Sequence, residues 1–102
     1  MVSFVFAQSQ FDADTVHTAG GDLKMTFIGH ATLMFEYNGM VIHIDPVSRY
    51  ADYSAMPKAD IILVTHEHGD HLDPEAIGHI KKDDTVIICT RACADQLGFG
   101  TV

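Results

Sequence analysis

The apolar positions of this chain change period part-way along it. Leu23, Met25 and Phe27 alternate with Lys24 and Thr26, the two-residue repeat of a strand with one buried face. "ATLMFEY" and "MVIHID" are two further β-rich runs, separated by Asn38-Gly39. Both of those residues accept positive φ, so the pair predicts a tight hairpin. The chain therefore opens as antiparallel strands. Residues 8–22 are polar and hold Gly20-Gly21, which reads as a loose lead-in.

Beyond Asp45 the pattern differs. "DPVSRYADYSAMPKAD" is polar, is broken by Pro46 and Pro57, and predicts a long loop. "IILVT" is a continuous apolar run of strand length, the pattern of a strand buried on both faces. A helix is predicted behind it. Asp73 is a good N-cap, Pro74 fits the first helical position, and Glu75 suits the positive end of the helix dipole. Leu72 and Ile77 have the spacing of a hydrophobic staple. "TVIIC" predicts another buried strand. Thr90 caps a second helix running through Leu97, which Gly98 ends. A further strand would begin in "GFGTV". Strands followed by β-α-β-α predict an α/β sheet with helices packed on it and the last strands in crossover geometry.

A length of 102 residues allows one small domain or a piece of a larger one. The folded unit is expected over residues 23–102. Residues 1–22 are expected to combine the lead-in with a signal-peptide stub, because Val5 and Ala7 in "MVSFVFAQSQ" suit cleavage after Ala7. The basic and apolar parts of such a signal are missing, and a short N-terminal strand is the alternative. A genuine stub would mean an exported or periplasmic protein; otherwise a cytoplasmic one is expected. No apolar run is long enough to span a membrane.

The net charge is −8, and the six Lys and Arg are scattered, which argues against nucleic-acid binding through phosphates. Cys89 and Cys93 form no CxxC pair and read as small buried apolar residues.

The strongest chemical signal is "THEHGDHLD", residues 65–73. If strand geometry continues past "IILVT", His66 and His68 point the same way. Gly69 allows a turn, after which Asp70 and His71 reach a position a few ångströms away. Imidazole and carboxylate suit Zn²⁺, iron or manganese. A buried strand before the loop and a capped helix behind it hold the cluster at both ends. Glu67 is expected to point outward to solvent, and Asp73 to cap the helix. His43 reads as a strand histidine, with His17 and His79 exposed.

"HEHGDH" fits the H-x-H-x-D-H signature of the metallo-β-lactamase superfamily of metal-dependent hydrolases. "FIGHATLMFEYNGMVIHIDPV" resembles the G-H-[AS]-[TS]…I-D-P segment of the branch holding the ascorbate-6-phosphate lactonase-like enzymes and the N-acylphosphatidylethanolamine phospholipases. The resemblance covers roughly residues 23–98. It implies an αββα sandwich with a metal site at one edge. His66 and His68 would bind a first ion, Asp70 and His71 a second, with Zn²⁺ favoured and iron or manganese as alternatives. Hydroxide between the ions would attack an ester, lactone or phosphodiester, and Asp70 would help orient it. His30 would contact substrate or support a ligand, or merely end its strand. Asp45 would support a ligand histidine, or merely form a turn.

The family also uses a third histidine, a bridging aspartate and a further histidine, all farther along the chain. No histidine follows His79, and Asp95 falls within the second predicted helix. The resemblance therefore implies the N-terminal half of such a sandwich, inactive alone, with one sheet face exposed. A homodimer through that face is one alternative, and a non-catalytic metal-binding or assembly module is another. A small-molecule substrate is the expected partner.

Overall fold

The computed structural model describes residues 11–102, so the signal-stub expectation for the first ten residues lies outside it. The chain forms one six-stranded sheet in sequential order. The strands are β1 (Asp12–Thr18), β2 (Gly21–Gly29), β3 (Thr32–Tyr37), β4 (Met40–Ile44), β5 (Ile61–Val64) and β6 (Val86–Cys89). Strands β1 to β4 are antiparallel, and β4, β5 and β6 are parallel.

The antiparallel half follows from its turns. Asn38 and Gly39 sit at φ 50° and 82°, the left-handed pair that a two-residue hairpin requires. Asn38 also donates through Nδ2 to the carbonyl of Gly20, 2.9 Å away, tying two neighbouring turns together. That contact marks a difference from the sequence expectation. Residues 12–18 are not a loose lead-in but an edge strand paired along its length with β2. β1 is exposed on both faces, so it never needed the apolar alternation that would have announced it.

The parallel half is built by crossovers. The 45–60 segment carries β4 to β5 and includes a single 3₁₀ turn at Tyr53–Ala55. Helix α1 (Pro74–Ile80) links β5 to β6, and helix α2 (Arg91–Leu97) follows β6. Asp73 caps α1 by accepting from the backbone N–H of Glu75 at 3.0 Å, and its other oxygen accepts from the N–H of Ser48 at 2.8 Å. Thr90 caps α2 through the N–H of Cys93, and Gly98 closes it at φ 84°. Beyond α2 the chain returns to the sheet, where Thr101 pairs with β6 in parallel.

Both helices lie on one face. Ile62, Val64, Ile87 and Cys89 of the sheet pack against Ala76, Ile77 and Ile80 of α1 and Cys93 of α2, with Tyr53, Ala59 and Leu72 sealing the edges. Both cysteines are buried and free, as expected. The opposite face has no cover among the described residues. β5 and β6 are apolar on both faces, but only one is covered: Val86 is 48% exposed and Ile88 43%, between buried neighbours, as expected for a half-sandwich with one sheet face exposed. Strand register puts Leu33, Phe35, Ile42 and Ile44 on that same open face, with Phe27 beside them at 43% exposed. A mixed sheet with helices on one side and an apolar surface on the other is half of a layered αββα sandwich.

His43 of β4 lies fully buried on the helix-covered face. Its Nε2–H donates to the carbonyl of Pro57 at 3.0 Å, and the Tyr53 ring meets it edge-on at 5.7 Å. It is a strand histidine, as the sequence suggested, but one that pins the 45–60 crossover. Burial holds its pKa below the usual imidazole range, with the Pro57 bond opposing.

Candidate metal centre

The carboxyl ends of β4 and β5 and the β2–β3 turn meet at one edge of the sheet. That edge is where open α/β sheets place their ligands. Asp45 stands at the end of β4, Thr65 at the end of β5, and His30 in the turn. Asp45 and His30 both adopt left-handed backbone, φ 47° and 53°. For residues other than glycine this costs on the order of 1 kcal/mol each, and it persists only where the surroundings impose it. For Asp45 those surroundings are visible. Its N–H donates to the carbonyl of Leu63 at 2.9 Å, and its carbonyl accepts from Thr32 Oγ1 at 2.7 Å.

The Asp45 carboxylate is wholly buried and organises the histidines around it. Oδ1 accepts from the backbone N–H of Thr65 at 2.7 Å. Oδ2 accepts from the Thr65 hydroxyl at 2.7 Å and from His71 Nδ1–H at 2.8 Å. Thr65 spends its single hydroxyl proton on Asp45, so its oxygen is an acceptor for His66 Nδ1–H at 3.0 Å. One carboxylate thereby sets both His66 and His71 with the proton on Nδ1 and the lone pair on Nε2. That is the arrangement by which a carboxylate typically supports a metal-binding histidine.

His71 Nε2 lies 3.6 Å from Asp70 Oδ2, and His30 Nε2 lies 3.0 Å from the same oxygen. Ligand atoms of His30, Asp70 and His71 all fall within 4.8 Å of one another. The ring of His66 sits 3.8 Å from that of His71 and 4.7 Å from that of His68, centroid to centroid. Two imidazoles and a carboxylate offering atoms to one small space fit a divalent first-row metal ion. Desolvation pushes the Asp70 carboxyl up, but its backbone N–H, His71 and His30 together outweigh this and leave it below the ordinary carboxylate range. It is therefore ionised at neutral pH, as a ligand must be.

The structure groups these residues differently from the sequence expectation. β5 ends at Val64, so His66 and His68 do not alternate off a continuing strand. A turn gathers them instead, in which the N–H groups of His71 and Leu72 both donate to the carbonyl of His68 at 2.9 and 2.8 Å. His66 packs on His71, whereas Asp70 reaches His30, a residue forty positions earlier. Asp45 does contact a histidine of the motif, and Asp73 does cap the helix. Glu67 is half-buried rather than fully solvated. His17 and His79 are exposed.

Two contributors were missed. Thr65 carries no metal-binding signal of its own, and only its place between a strand end and the first histidine hinted at it. Tyr50 stacks on His30 at 6.2 Å and 29°. It also packs over Gly29, where an added Cβ would sit 3.0 Å from its ring.

The beta-lactamase superfamily domain matches residues 24–91. The chain belongs to the metallo-β-lactamase superfamily. Among curated proteins it is 37% identical over 81 residues to a UPF0173 metal-dependent hydrolase of Bacillus pumilus, which is 76% of this chain and 35% of that protein. It is 41% identical over 71 residues to one from Archaeoglobus fulgidus, 66% of this chain and 30% of that one. Among solved structures it resembles a Parabacteroides distasonis protein provisionally named a metal-dependent hydrolase. The TM-score is 0.87 at 53% identity, over 90% of this chain and 42% of that one. The chain thus spans about a third of the length of the curated relatives it matches.

Proposed function

We propose that this chain carries part of the metal centre of a hydrolase. His66, His68, Asp70 and His71 hold one or two divalent ions, Zn²⁺ in the first instance, with iron or manganese also suited to the donor set. The observation that carries the reading is the buried Asp45 carboxylate, which orients His71 and, through Thr65, His66. A buried carboxyl group with this many donors is costly to build and rarely found without a task.

Bound there, a divalent ion would polarise a substrate oxygen and bring the acidity of water toward neutrality. The residues of the chain do the rest. Asp45 keeps the Nδ1 protons in place, so the histidines cannot turn their lone pairs away. Asp70, ionised and half-exposed, is the group able to orient an attacking water at the rim. The substrates proposed are esters, lactones or phosphodiesters, as in the lactonase-like and phospholipase branch. Its G-H-A-T and I-D-P segments supply His30 and Asp45 here.

Metal content and hydrolysis of ester, lactone and phosphodiester probes test this together. For the full chain, which spans a third of its relatives' length, the expected result is weak metal binding with negligible turnover. A longer protein containing this segment should turn over one of these probes and lose that activity in Asp70→Ala. A non-catalytic metal-binding module would bind metal equally and show no turnover at any length.

A further inference from the structure

We propose that His30 is a further donor to the ion held by Asp70 and His71, so that the β2–β3 turn closes the metal site from outside the H-x-H-x-D-H motif. This rests on the metal-centre reading above and extends its ligand set. Three observations carry it. First, the imidazole Nε2 of His30 lies 3.0 Å from Asp70 Oδ2, and its ligand atom shares one 4.8 Å space with those of Asp70 and His71. Second, the backbone bears a cost to aim it, since His30 holds φ 53° in a turn where Asn or Gly would sit more easily. Third, the ring is braced. Tyr50 stacks on one side at 6.2 Å, the ring of His71 stands at 5.2 Å, and the bare backbone of Gly29 lets Tyr50 approach.

A simple surface pair between His30 and Asp70 explains these facts poorly. Their side chains are 48% and 41% exposed, and an ion pair that open contributes little stability. It would not repay a strained backbone and an aromatic brace. Two imidazoles and one carboxylate from two separate elements make a three-donor face with open positions, a set that divalent first-row ions accept. His30 lies in the β2–β3 turn and Asp70 in the loop between β5 and α1, so the ion would also staple the antiparallel half of the sheet to the parallel half.

The test is a titration of the full chain with Co²⁺, read by its visible absorption and by the rise in melting temperature. It is run on wild type, His30→Asn, His30→Gly and His71→Ala. Asn and Gly both tolerate the left-handed turn, so either keeps the apo fold even where the other does not. The expected result is a loss of affinity of about tenfold or more in both His30 variants, with altered absorption bands at saturation. Wild-type affinity and an unchanged spectrum in those variants, beside abolished binding in His71→Ala, would overturn the role of His30 while leaving the metal centre intact. Absence of Co²⁺ binding in the wild type would overturn both.

Discussion

Asp45 Oδ2 accepts a hydrogen bond from His71 Nδ1 at 2.8 Å, inside a pocket that leaves the aspartate no exposed surface. The bond joins residues 26 apart, one from the end of β4 and one from the loop behind β5. It fixes which nitrogen of His71 faces the site. Replacing Asp45 by Asn preserves the shape but offers an amide that can satisfy either ring tautomer. Asp45→Asn should weaken metal binding by about ten- to a hundredfold. Calorimetric titration with Zn²⁺ would measure this, and an affinity equal to wild type would show that the carboxylate is only structural.

Thr65→Val is the subtler test of the same network. It keeps the volume and the backbone N–H bond to Asp45 but removes the hydroxyl that links Asp45 to His66. Loss of about 1 kcal/mol of unfolding free energy is expected in urea, together with a smaller affinity loss than in Asp45→Asn. An affinity loss larger than that of Asp45→Asn would mean that the relay runs differently.

His43 gives a pH signature separate from the site. Burial depresses its folded pKa below 6.5, so the unfolded chain takes up the proton first as pH falls. Its contribution to stability is therefore complete above about pH 6.5 and is lost as pH drops through the range down to the folded value. The lowered carboxylates Asp60 and Asp73 act only below their ordinary 3.8, outside that window. Urea midpoints at about pH 7.5 and 5.5 should differ in the wild type and differ less in His43→Gln. Equal differences in the two proteins would remove His43 from the account.

The sheet face that no described residue covers predicts behaviour in solution. Phe27, Val86 and Ile88 are each more than two-fifths exposed on a continuous apolar surface. A patch of this kind drives association. Sedimentation of the full chain should show concentration-dependent self-association, reduced in the double variant Phe27→Lys, Ile88→Lys. A monodisperse monomer at high concentration would contradict this.

What the sequence revealed and what it hid divide along physical lines. The Asn38-Gly39 turn, the Asp73-Pro74 start of α1, the Thr90 cap and the Gly98 stop are set by nearest neighbours, and each was legible. The clustering of residues 66–71 at one sheet edge was legible because the residue types are so densely spaced. β1 was not, because an edge strand with two exposed faces carries no hydrophobic period. The apolar runs "IILV" and "VIIC" look alike whether one face is covered or two, and it was the half-sandwich resemblance that predicted one exposed face. The His30–Asp70 contact depends on tertiary closure across forty residues, and no local pattern encodes it. Thr65 was hidden because a hydroxyl's role depends entirely on what it is placed beside.

The central claim is that the histidine and aspartate cluster at this sheet edge binds a divalent metal through nitrogens that Asp45 has oriented. Calorimetric titration of Zn²⁺ into the full chain and into a His66→Ala, His71→Ala double variant tests it most directly. Saturable binding in the wild type and none in the double variant is the predicted result. Binding of equal strength in both proteins, or none in the wild type, would contradict it.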